Sequence, residues 1–393
     1  MSKKVIKVEA NVFCKALAAA SLGNGKGYVM IVNPSANANG KNIQICLLAS
    51  SDGEKLGRCT VQVQTSGIKE TEAFYPVKSI YKSVETLAKV TDTIVIEVKD
   101  AYLELSAKSG ENRVRVALNE KDLLFDVPEE EMANSVSACF KREDFVTAIK
   151  CGGYAAAKAT VGTSMKAIYF GVSTDKICVI SACDAVMAEA TVKPQQMDNA
   201  PENEVFYPAE DVFINAVASR LTGDRCQIGF TSKYIIISDS AGPIYVARKK
   251  AAQMSTSLRN ILNMEERDYE AEVAKKELLL GIEIATVGLE DRASFITGHT
   301  AEDGTLCLES PHAENKANVI QSKHEGSVSK CYLGIEALKL FLSGCGEKIG
   351  YYGLNDIKKP MHFYGVDGTV TYRALIAQFM GEKTEASKKK EEK

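Results

Sequence analysis

The sequence lacks any long apolar stretch. No run approaches the roughly 18 apolar residues that a helix needs to span a bilayer. Lys3 and Lys4 near the N-terminus are not followed by the apolar core of a signal peptide. We therefore expect a cytoplasmic protein without membrane association. Its 393 residues allow two to four domains, at about 100–200 residues per domain.

An excess of positive charge is also lacking. Lysine and arginine number 48 against 51 acidic residues, which gives a formal net charge of −3. A protein that coats DNA by its overall charge usually has an isoelectric point above about 9. Any contact with nucleic acid must therefore depend on a local basic surface, with the negative charge elsewhere on the protein.

Motifs of enzymes and metal sites are scarce. The chain has four histidines, and no two of them have the spacing of metal ligands. Eleven cysteines are scattered singly, without a C-x-x-C motif and mostly inside apolar runs, which indicates buried thiols in a reducing compartment. There is no Walker loop and no G-x-S-x-G motif. We expect no cofactor, no metal ion and no catalytic activity.

One catalytic alternative stays open at this point, a hydrolase that uses a reactive cysteine. Cys151 precedes Gly152 and Gly153 at the end of a predicted helix. The negative end of the helix dipole would raise the pKa of a thiol there, so the position does not favour a nucleophile. The Gly-rich segment 23–27 lacks the features of a phosphate loop and is interpreted as a turn.

The sequence does contain an internal repeat. Phe74-Tyr75-Pro76 recurs as Phe206-Tyr207-Pro208, 132 residues later, and Cys331-Tyr332-Leu333 is a weaker third copy. A helical pattern, turn residues, two short strands and a closing strand follow each tripeptide. The predicted helices cover 77–89, 209–221 and 334–343. The predicted strands cover 93–98, 102–105 and 113–118, then 226–230, 234–237 and 244–247, then 348–352, 361–364 and 370–375.

The front halves of the copies also align. Helical stretches begin near Phe13, Phe145 and Leu278, at intervals of 132 and 133 residues. Asp52-Gly53 and Asp303-Gly304 lie between apolar runs, as hairpin turns do. We therefore predict an α+β fold in which each copy packs two helices on about eight short antiparallel strands. The predicted domains are 1–130, 131–255 and 256–380, and the charged tail 381–393 is predicted to be disordered.

On these features the chain resembles the bacterial DNA sliding clamp, the beta subunit of the replicative DNA polymerase. The tripled unit is one feature of the resemblance. Another is the strand pair 165–172 and 179–188, similar to the strands that carry Ala-Thr-Asp-Gly-His-Arg-Leu-Ala in the family. The last is the segment 372–379, similar to the closing strand and tail of the family. Residues 183–187 read Cys-Asp-Ala-Val-Met where the family has Asp-Gly-His-Arg-Leu, so the resemblance is to a divergent member.

The resemblance implies a function in DNA replication. Three tandem domains would form half of a six-domain ring, closed head to tail by a homodimer around double-stranded DNA. The ring would act as a processivity factor that tethers the replicative DNA polymerase, after a clamp loader has placed it on DNA. An alternative of another class is a scaffold with the clamp fold that binds protein partners without encircling DNA.

A set of basic residues on or near the predicted helices would meet DNA in that arrangement. The proposed DNA-facing residues are Lys15, Lys26, Lys78, Lys82, Lys150, Lys158 and Arg292. Lys78 and Lys82 share one helix face at the i, i+4 spacing. Such a discontinuous basic lining would touch phosphates without reading bases. The alternative is an ordinary solvated helix face.

Two further surfaces are implied by the resemblance. The family's apolar partner-peptide cleft would correspond here to Met165, Ala185, Val186, Met187, Ile261, Leu375 and Ile376. The alternative is ordinary core packing. Val114 and Val116 alternate with arginines in a strand that resembles the dimer-edge strand of the family. The alternative there is an edge strand that its two arginines protect from aggregation.

Overall fold

A computed structural model describes residues 5–21, 28–32, 45–51, 54–66, 74–108, 110–117, 129–158, 166–254, 256–289 and 294–378. In these residues, one order of elements occurs three times: a strand, a long helix, five strands, a second long helix and three strands. A short helix precedes the second and the third occurrence. The α+β class is therefore confirmed.

The elements have the following bounds. The first copy contains β1 (Val5–Glu9), α1 (Ala10–Ala20), β2 (Tyr28–Val32), β3 (Ile45–Ser51), β4 (Lys55–Gln62), β5 (Gln64–Ser66), β6 (Phe74–Pro76), α2 (Val77–Leu87), β7 (Thr93–Val98), β8 (Tyr102–Ala107) and β9 (Arg113–Ala117). The second contains α3 (Glu129–Ala133), β10 (Val136–Lys141), α4 (Arg142–Gly153), a 3₁₀ turn (Ala156–Lys158), β11 (Ala167–Val172), β12 (Ile177–Ala182), β13 (Val186–Val192), β14 (Gln196–Asp198), β15 (Val205–Glu210), α5 (Asp211–Ala218), β16 (Arg225–Phe230), β17 (Tyr234–Asp239) and β18 (Ile244–Arg248). The third contains α6 (Thr256–Leu262), β19 (Tyr269–Ala274), α7 (Lys275–Thr286), β20 (Phe295–Thr300), β21 (Leu306–Glu309), β22 (Lys316–Val319), β23 (Gln321–Glu325), β24 (Cys331–Gly334), α8 (Ile335–Gly344), β25 (Lys348–Gly353), β26 (Met361–Asp367) and β27 (Val370–Ile376).

The predicted strands of the closing halves are confirmed to within three residues at each end. The front helices begin at Ala10, Arg142 and Lys275, three residues before the predicted starts. The difference arises because Phe13, Phe145 and Leu278 are the first large buried side chains of these helices. The apolar periodicity begins there, whereas the backbone helix begins a turn earlier.

The described residues form two compact units. The first unit combines the first copy with α3, β10, β14 and the closing half of the second copy, and the second unit combines the remainder of the second copy with the third. The division into three domains of about 130 residues remains a prediction from the sequence. The predicted tail 381–393 and the Asp52-Gly53 turn lie outside the described residues.

Strand pairing joins successive copies inside each unit. In the first unit, β18 pairs antiparallel with β4, from Ile244 opposite Arg58 to Ala247 opposite Lys55. In the second unit, β27 pairs antiparallel with β13 from residue 371 to residue 376. The closing strand of each later copy therefore extends the front sheet of the copy before it. The result is a nine-stranded sheet in each unit.

Two smaller sheets end in strands without a neighbour. The five-stranded sheet of the first unit has the order β5-β1-β7-β8-β9, and the four-stranded sheet of the second has the order β22-β21-β20-β24. Within the described residues, no strand pairs with the outer edge of β9 or of β22. These two edges are the closing strand of the first copy and the third front strand of the last copy.

Helices cover one face of each small sheet. In the first copy, Phe13 and Leu17 of α1 pack with Ile80 and Val84 of α2 in one buried cluster. Ile80 and Val84 lie on one helix face at the i, i+4 spacing, and Leu87, which is 2% exposed, continues that face. The apolar stripe of α2 fixes its orientation, and the exposed Lys82 lies off that stripe. No helix among the described residues is long and apolar enough to cross a membrane.

Candidate functional site

Four of the seven proposed DNA-facing side chains can be located. Lys15 on α1 and Lys82 on α2 are exposed, and Lys158 is exposed at the end of the 3₁₀ turn. Lys150 on α4 has a half-exposed side chain, and its Nζ lies 3.9 Å from an Asp367 carboxylate oxygen. Lys26, Arg292 and the Lys78 side chain lie outside the described residues.

Acidic residues accompany these lysines. The exposed cations on the six long helices, within the described side chains, are Lys15, Lys82, Lys150, Lys276 and Lys339. The exposed anions on the same helices are Glu85, Glu143, Glu283 and Glu336. The two sets nearly cancel, so any attraction of these helices for phosphates is weak and local.

A groove of 620 Å³ lies beside Lys15 in the first unit. Its other wall includes Arg220, just after α5. The guanidinium of Arg220 is half-buried, burial lowers its pKa, and its Nη1 has no hydrogen-bond partner. Two cations therefore face one groove, although Arg220 was not among the residues that the sequence singled out. The position of Arg220, in the turn after the second helix of the repeat, was the feature of the sequence that could have identified it.

Five of the seven proposed cleft residues come together where β13 meets β27. Met187 lies opposite Leu375, and Val186 lies opposite Ile376. Ala185 accepts a backbone hydrogen bond of 2.9 Å from Ala377. The paired side chains are buried, with exposures of 2% for Val186, 4% for Met187, 6% for Leu375 and 0% for Ile376. Met165 lies outside the described residues.

The helix α6 closes over one face of this ladder. Met187 and Leu375 pack with Leu262 of α6 in one cluster, which also contains Ala167, Tyr169, Cys178 and Ile180. Ile261, the residue that the sequence singled out, is 37% exposed, whereas its neighbour Leu262 is 2% exposed. Half-buried apolar side chains lie at the edge of the cluster, namely Ala182, Phe206, Ala252 and Met254. The centre of the candidate cleft is therefore filled by a side chain of the protein itself.

A buried charged network holds α6 in this position. Glu189 is 3% exposed, and its Oε1 accepts hydrogen bonds of 3.0 and 2.6 Å from Arg373 Nε and Nη2. The Nε of Arg259 lies 3.5 Å from the other Glu189 oxygen. Arg259 also pairs with Glu204 and lies over the ring of Phe206, with its Cζ 5.0 Å from the centroid. The hydrogen bond to Glu204 raises the pKa of Arg259.

Sequence reasoning missed this network, although a signal for it exists. Glu189 is a lone acid inside the apolar run 186–192, and Arg373 is a lone base inside the closing strand. Burial of either charge alone would be costly, so two such residues in strands that pair are good candidates for partners.

The predicted dimer-edge residues lie on β9. Val116 is 4% exposed and belongs to the buried cluster of the first copy, and Val114 is half-buried. The arginines lie on the other face, where Arg115 Nε donates a 2.9 Å hydrogen bond to the Glu104 carboxylate. The valines therefore anchor β9 to its own sheet, and the backbone edge of the strand is what remains for a partner.

Among the cysteines whose side chains are described, none has the environment of a nucleophile. Cys151 is 2% exposed, and burial, with a contribution from Asp367, raises its pKa to about 12. The cysteines whose side chains the structure describes are free thiols. Because the thiolate is the reactive form, this burial argues against the cysteine hydrolase.

The third copy contains a cluster that the sequence analysis did not anticipate. His299, Cys307 and Glu309 each have a potential ligand atom, and these atoms all lie within 4.8 Å of one another. The hairpin between β20 and β21 brings them together, because its register pairs His299 with Cys307. The Asp303-Gly304 turn, which the structure confirms, was the signal, since it lies midway between the two residues.

Comparison with known proteins connects this geometry with one fold. No protein-family model and no curated protein sequence matches the chain. Its structure is similar to the DNA polymerase III beta subunit of Thermotoga maritima, with a TM-score of 0.77 at 14% identity, over 96% of this chain and 100% of that one. The chain has the sliding-clamp fold.

Other clamps are similar to the same extent. The beta subunit from Streptococcus pyogenes gives a TM-score of 0.79 at 11% identity, over 96% of this chain and 100% of that one. The sliding clamp of Bacillus subtilis gives 0.77 at 13% identity, over 97% and 100%. The resemblance inferred from the repeat is confirmed at the level of the fold, and the low identities agree with the altered 183–187 motif.

Proposed function

We propose that the chain is a DNA sliding clamp. Two copies close head to tail around duplex DNA, and the ring tethers a DNA polymerase as a processivity factor in the cytoplasm. A clamp loader opens the ring, and the protein itself is not an enzyme. The fold supports this proposal, because the solved structures that the chain resembles are DNA polymerase III beta subunits and sliding clamps.

The observation that carries the proposal is the pair of open sheet edges. Inside the chain, β18 joins β4 and β27 joins β13, so each junction consists of a closing strand and the third front strand of the preceding copy. Within the described residues, β9 is a closing strand that pairs with no third front strand, and β22 is a third front strand that pairs with no closing strand. A second chain supplies both missing partners, and two such junctions close a ring.

The repeat also suggests a register for the open junction. Val246 pairs with Leu56 in the first internal junction, and Leu375 pairs with Met187 in the second. When the ladders of the three copies are superimposed, the equivalent positions are Arg115 on β9 and Glu314 just before β22. In the proposed junction between chains, a pair of opposite charges thus stands where each internal junction has an apolar pair. Such a charged pair suits a contact that must open for loading.

A stripe on α7 supports the same assembly. Leu280 and Ile284 are 46% and 43% exposed at the i, i+4 spacing of one helix face, and Val287, the residue that follows the helix, is 66% exposed. The equivalent helix α4 shows what such a face can pack on inside the chain. Its tenth residue, Cys151, is buried, and Gly344 at the end of α8 packs against this part of α4. The tenth residue of α7, Ile284, has the same place in its helix but is exposed. We infer that α7 packs on the end of α2 in the second chain, where Val90 is 61% exposed.

The polymerase is proposed to dock by a short apolar peptide at the edge of the α6 cluster. Ile261 and the half-buried Phe206 and Met254 offer apolar surface there. Leu262 occupies the centre, so an anchor side chain reaches Met187 and Leu375 only when α6 shifts. Arg259 limits that shift through its pairs with Glu189 and Glu204.

A charge swap tests the assembly. We expect Arg115→Glu alone and Glu314→Arg alone to weaken the dimer, because each places like charges across the junction. The double variant should restore it. Sedimentation equilibrium measures the dissociation constant of the dimer. Size-exclusion chromatography checks that the weakened variants elute as folded monomers. The proposed junction is wrong if folded single variants remain dimeric as tightly as the wild type, or if the double variant stays monomeric.

One observation favours a second function, a scaffold that does not encircle DNA. The exposed charges of the long helices nearly cancel within the described side chains. A protein that never meets phosphates needs no excess of lysine on these helices. A dimer that binds the apolar peptide but is not retained on DNA would support this second function.

A further inference from the structure

We propose that His299, Cys307 and Glu309 bind a zinc ion on the third copy. The proposal concerns a site on one small sheet and does not depend on ring closure. The cluster lies on β20 and β21 of the four-stranded sheet, whose strand order is β22-β21-β20-β24.

The backbone of a hairpin fixes the three side chains. His299 and Cys307 are directly opposed in the β20–β21 ladder, and Glu309 lies two residues beyond Cys307 on the same face. Cys307 Sγ and Glu309 Oε1 are 3.6 Å apart, and all three ligand atoms lie within 4.8 Å of one another. Cys307 is fully buried, and the other two side chains are half-buried. Ligands on paired strands are preorganised better than ligands on a loop.

The separations suit a tetrahedral ion. Zinc bonds of about 2.0–2.3 Å place neighbouring ligand atoms about 3.3–3.8 Å apart. Small side-chain rotations that shorten the longest separation by about 1 Å satisfy this geometry. Three protein ligands leave a fourth position for water.

The donor types select the metal. One imidazole nitrogen, one sulfur and one carboxylate oxygen match zinc, which is borderline in softness. Magnesium and calcium prefer sets of oxygen ligands, which the cluster lacks. Solvent reaches the edge of the cluster at the half-buried His299 and Glu309, whereas Leu308 and Val319 lie close to Gly281 of α7 on the opposite face of the sheet.

A cation of the protein already lies beside the cluster. Lys316 on β22 is opposite Glu309, and its Nζ lies 3.2 Å from Glu309 Oε1. Its side chain is 55% exposed, so it can turn into solvent when a metal ion binds. Lys316 therefore competes with the metal ion, and its removal should tighten metal binding.

Cobalt(II) titration of the metal-free full-length chain tests the site. A bound thiolate gives a charge-transfer absorption that carboxylate and imidazole ligands do not produce. We expect the band to saturate near one Co²⁺ per chain and to disappear when Zn²⁺ is added. Cys307→Ser should abolish the band, and His299→Gln should weaken binding at least tenfold, since even the loss of an outer-shell partner costs about 10- to 100-fold.

Two further variants sharpen the result. Lys316→Met should tighten Co²⁺ binding several-fold. Cys183→Ser, which removes a partly exposed thiol outside the cluster, should leave the titration unchanged. Circular dichroism of the metal-free variants checks folding, and His299→Gln decides the matter if Cys307→Ser does not fold. The proposal is overturned if the wild type shows no thiolate band, or if the band survives Cys307→Ser or His299→Gln with unchanged affinity.

Discussion

Glu189 connects three segments that are far apart in the sequence. Its carboxylate bonds Arg373 of β27 and lies against Arg259 of α6, while its own strand is β13. Removal of one partner from a buried ion pair leaves an uncompensated charge in a poor solvent for ions. The network therefore constrains the position of α6 more than it adds net stability.

Glu189→Ala should lower the free energy of unfolding by about 1–3 kcal/mol, because Arg373 loses its carboxylate partner, while Arg259 keeps its pair with Glu204. Urea titration followed by circular dichroism measures the change. Glu266→Ala, at an exposed position, is the matched control and should change the value by less than about 0.5 kcal/mol. A loss below 1 kcal/mol for Glu189→Ala would show that water replaces the network.

His362 should make stability depend on pH. Burial, with a smaller contribution from Arg373, lowers its pKa to about 4 from the ordinary value of 6.5. The ring is 6% exposed and stacks on Tyr352 with centroids 4.6 Å apart. The neutral form is favoured in the folded state, so its contribution is complete above about pH 6.5 and is lost as the pH falls toward 4.

The predicted size of this effect is about 3 kcal/mol between pH 7 and pH 4. It is measured as the difference in unfolding free energy between the wild type and His362→Gln, which cannot take up the proton. His312→Gln, at an exposed position, should retain the wild-type dependence on pH. If His362→Gln also retains it, the folded-state pKa of His362 is not lowered.

For single residues, the sequence could predict which residues are neighbours, but not which side chain fills the space next to them. The family resemblance placed Met187 and Leu375 together, and the β13–β27 ladder does pair them. It named Ile261, whereas Leu262 is the residue that packs on them. A shift of one residue along a helix turns the side chain by about 100°, and a seven-residue helix has too short a pattern to fix that rotation.

Among the elements, α7 differs from its two counterparts. α1 and α4 are first helices that have a following copy inside their own unit, whereas α7 has none. Its exposed Leu280 and Ile284, together with Val287 just beyond the helix, form an apolar stripe of the kind that marks an interaction site. The proposed assembly assigns that stripe to the second chain.

Ile284→Glu should weaken the dimer by about 3 kcal/mol, or roughly a hundredfold in dissociation constant, because it buries an unpaired charge at the interface. The monomer should fold normally, since the position is 43% exposed there. Ile357→Glu is the control, with a similar exposure of 42% but outside the helices. Analytical ultracentrifugation distinguishes the outcomes. Equal dimer affinity for both variants would remove α7 from the interface.

The long elements followed from the sequence, and the short helices did not. Strands such as Thr93–Val98 have dense β-branched composition between turn residues, and their bounds were predicted correctly. The helices α3 and α6 lie close to the predicted domain boundaries, in segments for which the sequence predicted no helix. Each is at most seven residues long, so tertiary contacts, such as that of Leu262, stabilise them rather than an amphipathic pattern.

For the whole molecule, the proposed ring predicts weak and non-specific contact with DNA. Each phosphate contact that is lost should reduce the slope of log K against log salt by about 0.9 on duplex DNA. The double variant Lys15→Ala with Lys82→Ala should therefore reduce this slope by almost 2, equally for all DNA sequences. Lys323→Ala with Lys359→Ala, which removes two exposed lysines outside the helices, is the control. An unchanged slope in the first double variant would exclude its lysines from the DNA contact.

The threefold repeat was visible in the sequence because it preserves the spacing of helices and strands. The open edges at β9 and β22 were not both visible. Local patterns show that a segment is a strand, but the pairing of β18 with β4 and of β27 with β13 spans more than 180 residues. Only that pairing shows which strands are left without a neighbour.

Retention on DNA with blocked ends distinguishes a closed ring from the scaffold, and the experiment requires no clamp loader. A ring can thread over the free ends of linear duplex DNA, and bulky protein caps added to both ends then trap it. The wild type should stay on capped DNA through a high-salt wash and leave DNA with free ends. The Ile284→Glu variant, whose dimer is weakened, should leave both capped and uncapped DNA. Equal loss of the wild type from capped and uncapped DNA would contradict the sliding clamp and leave the scaffold as the better account.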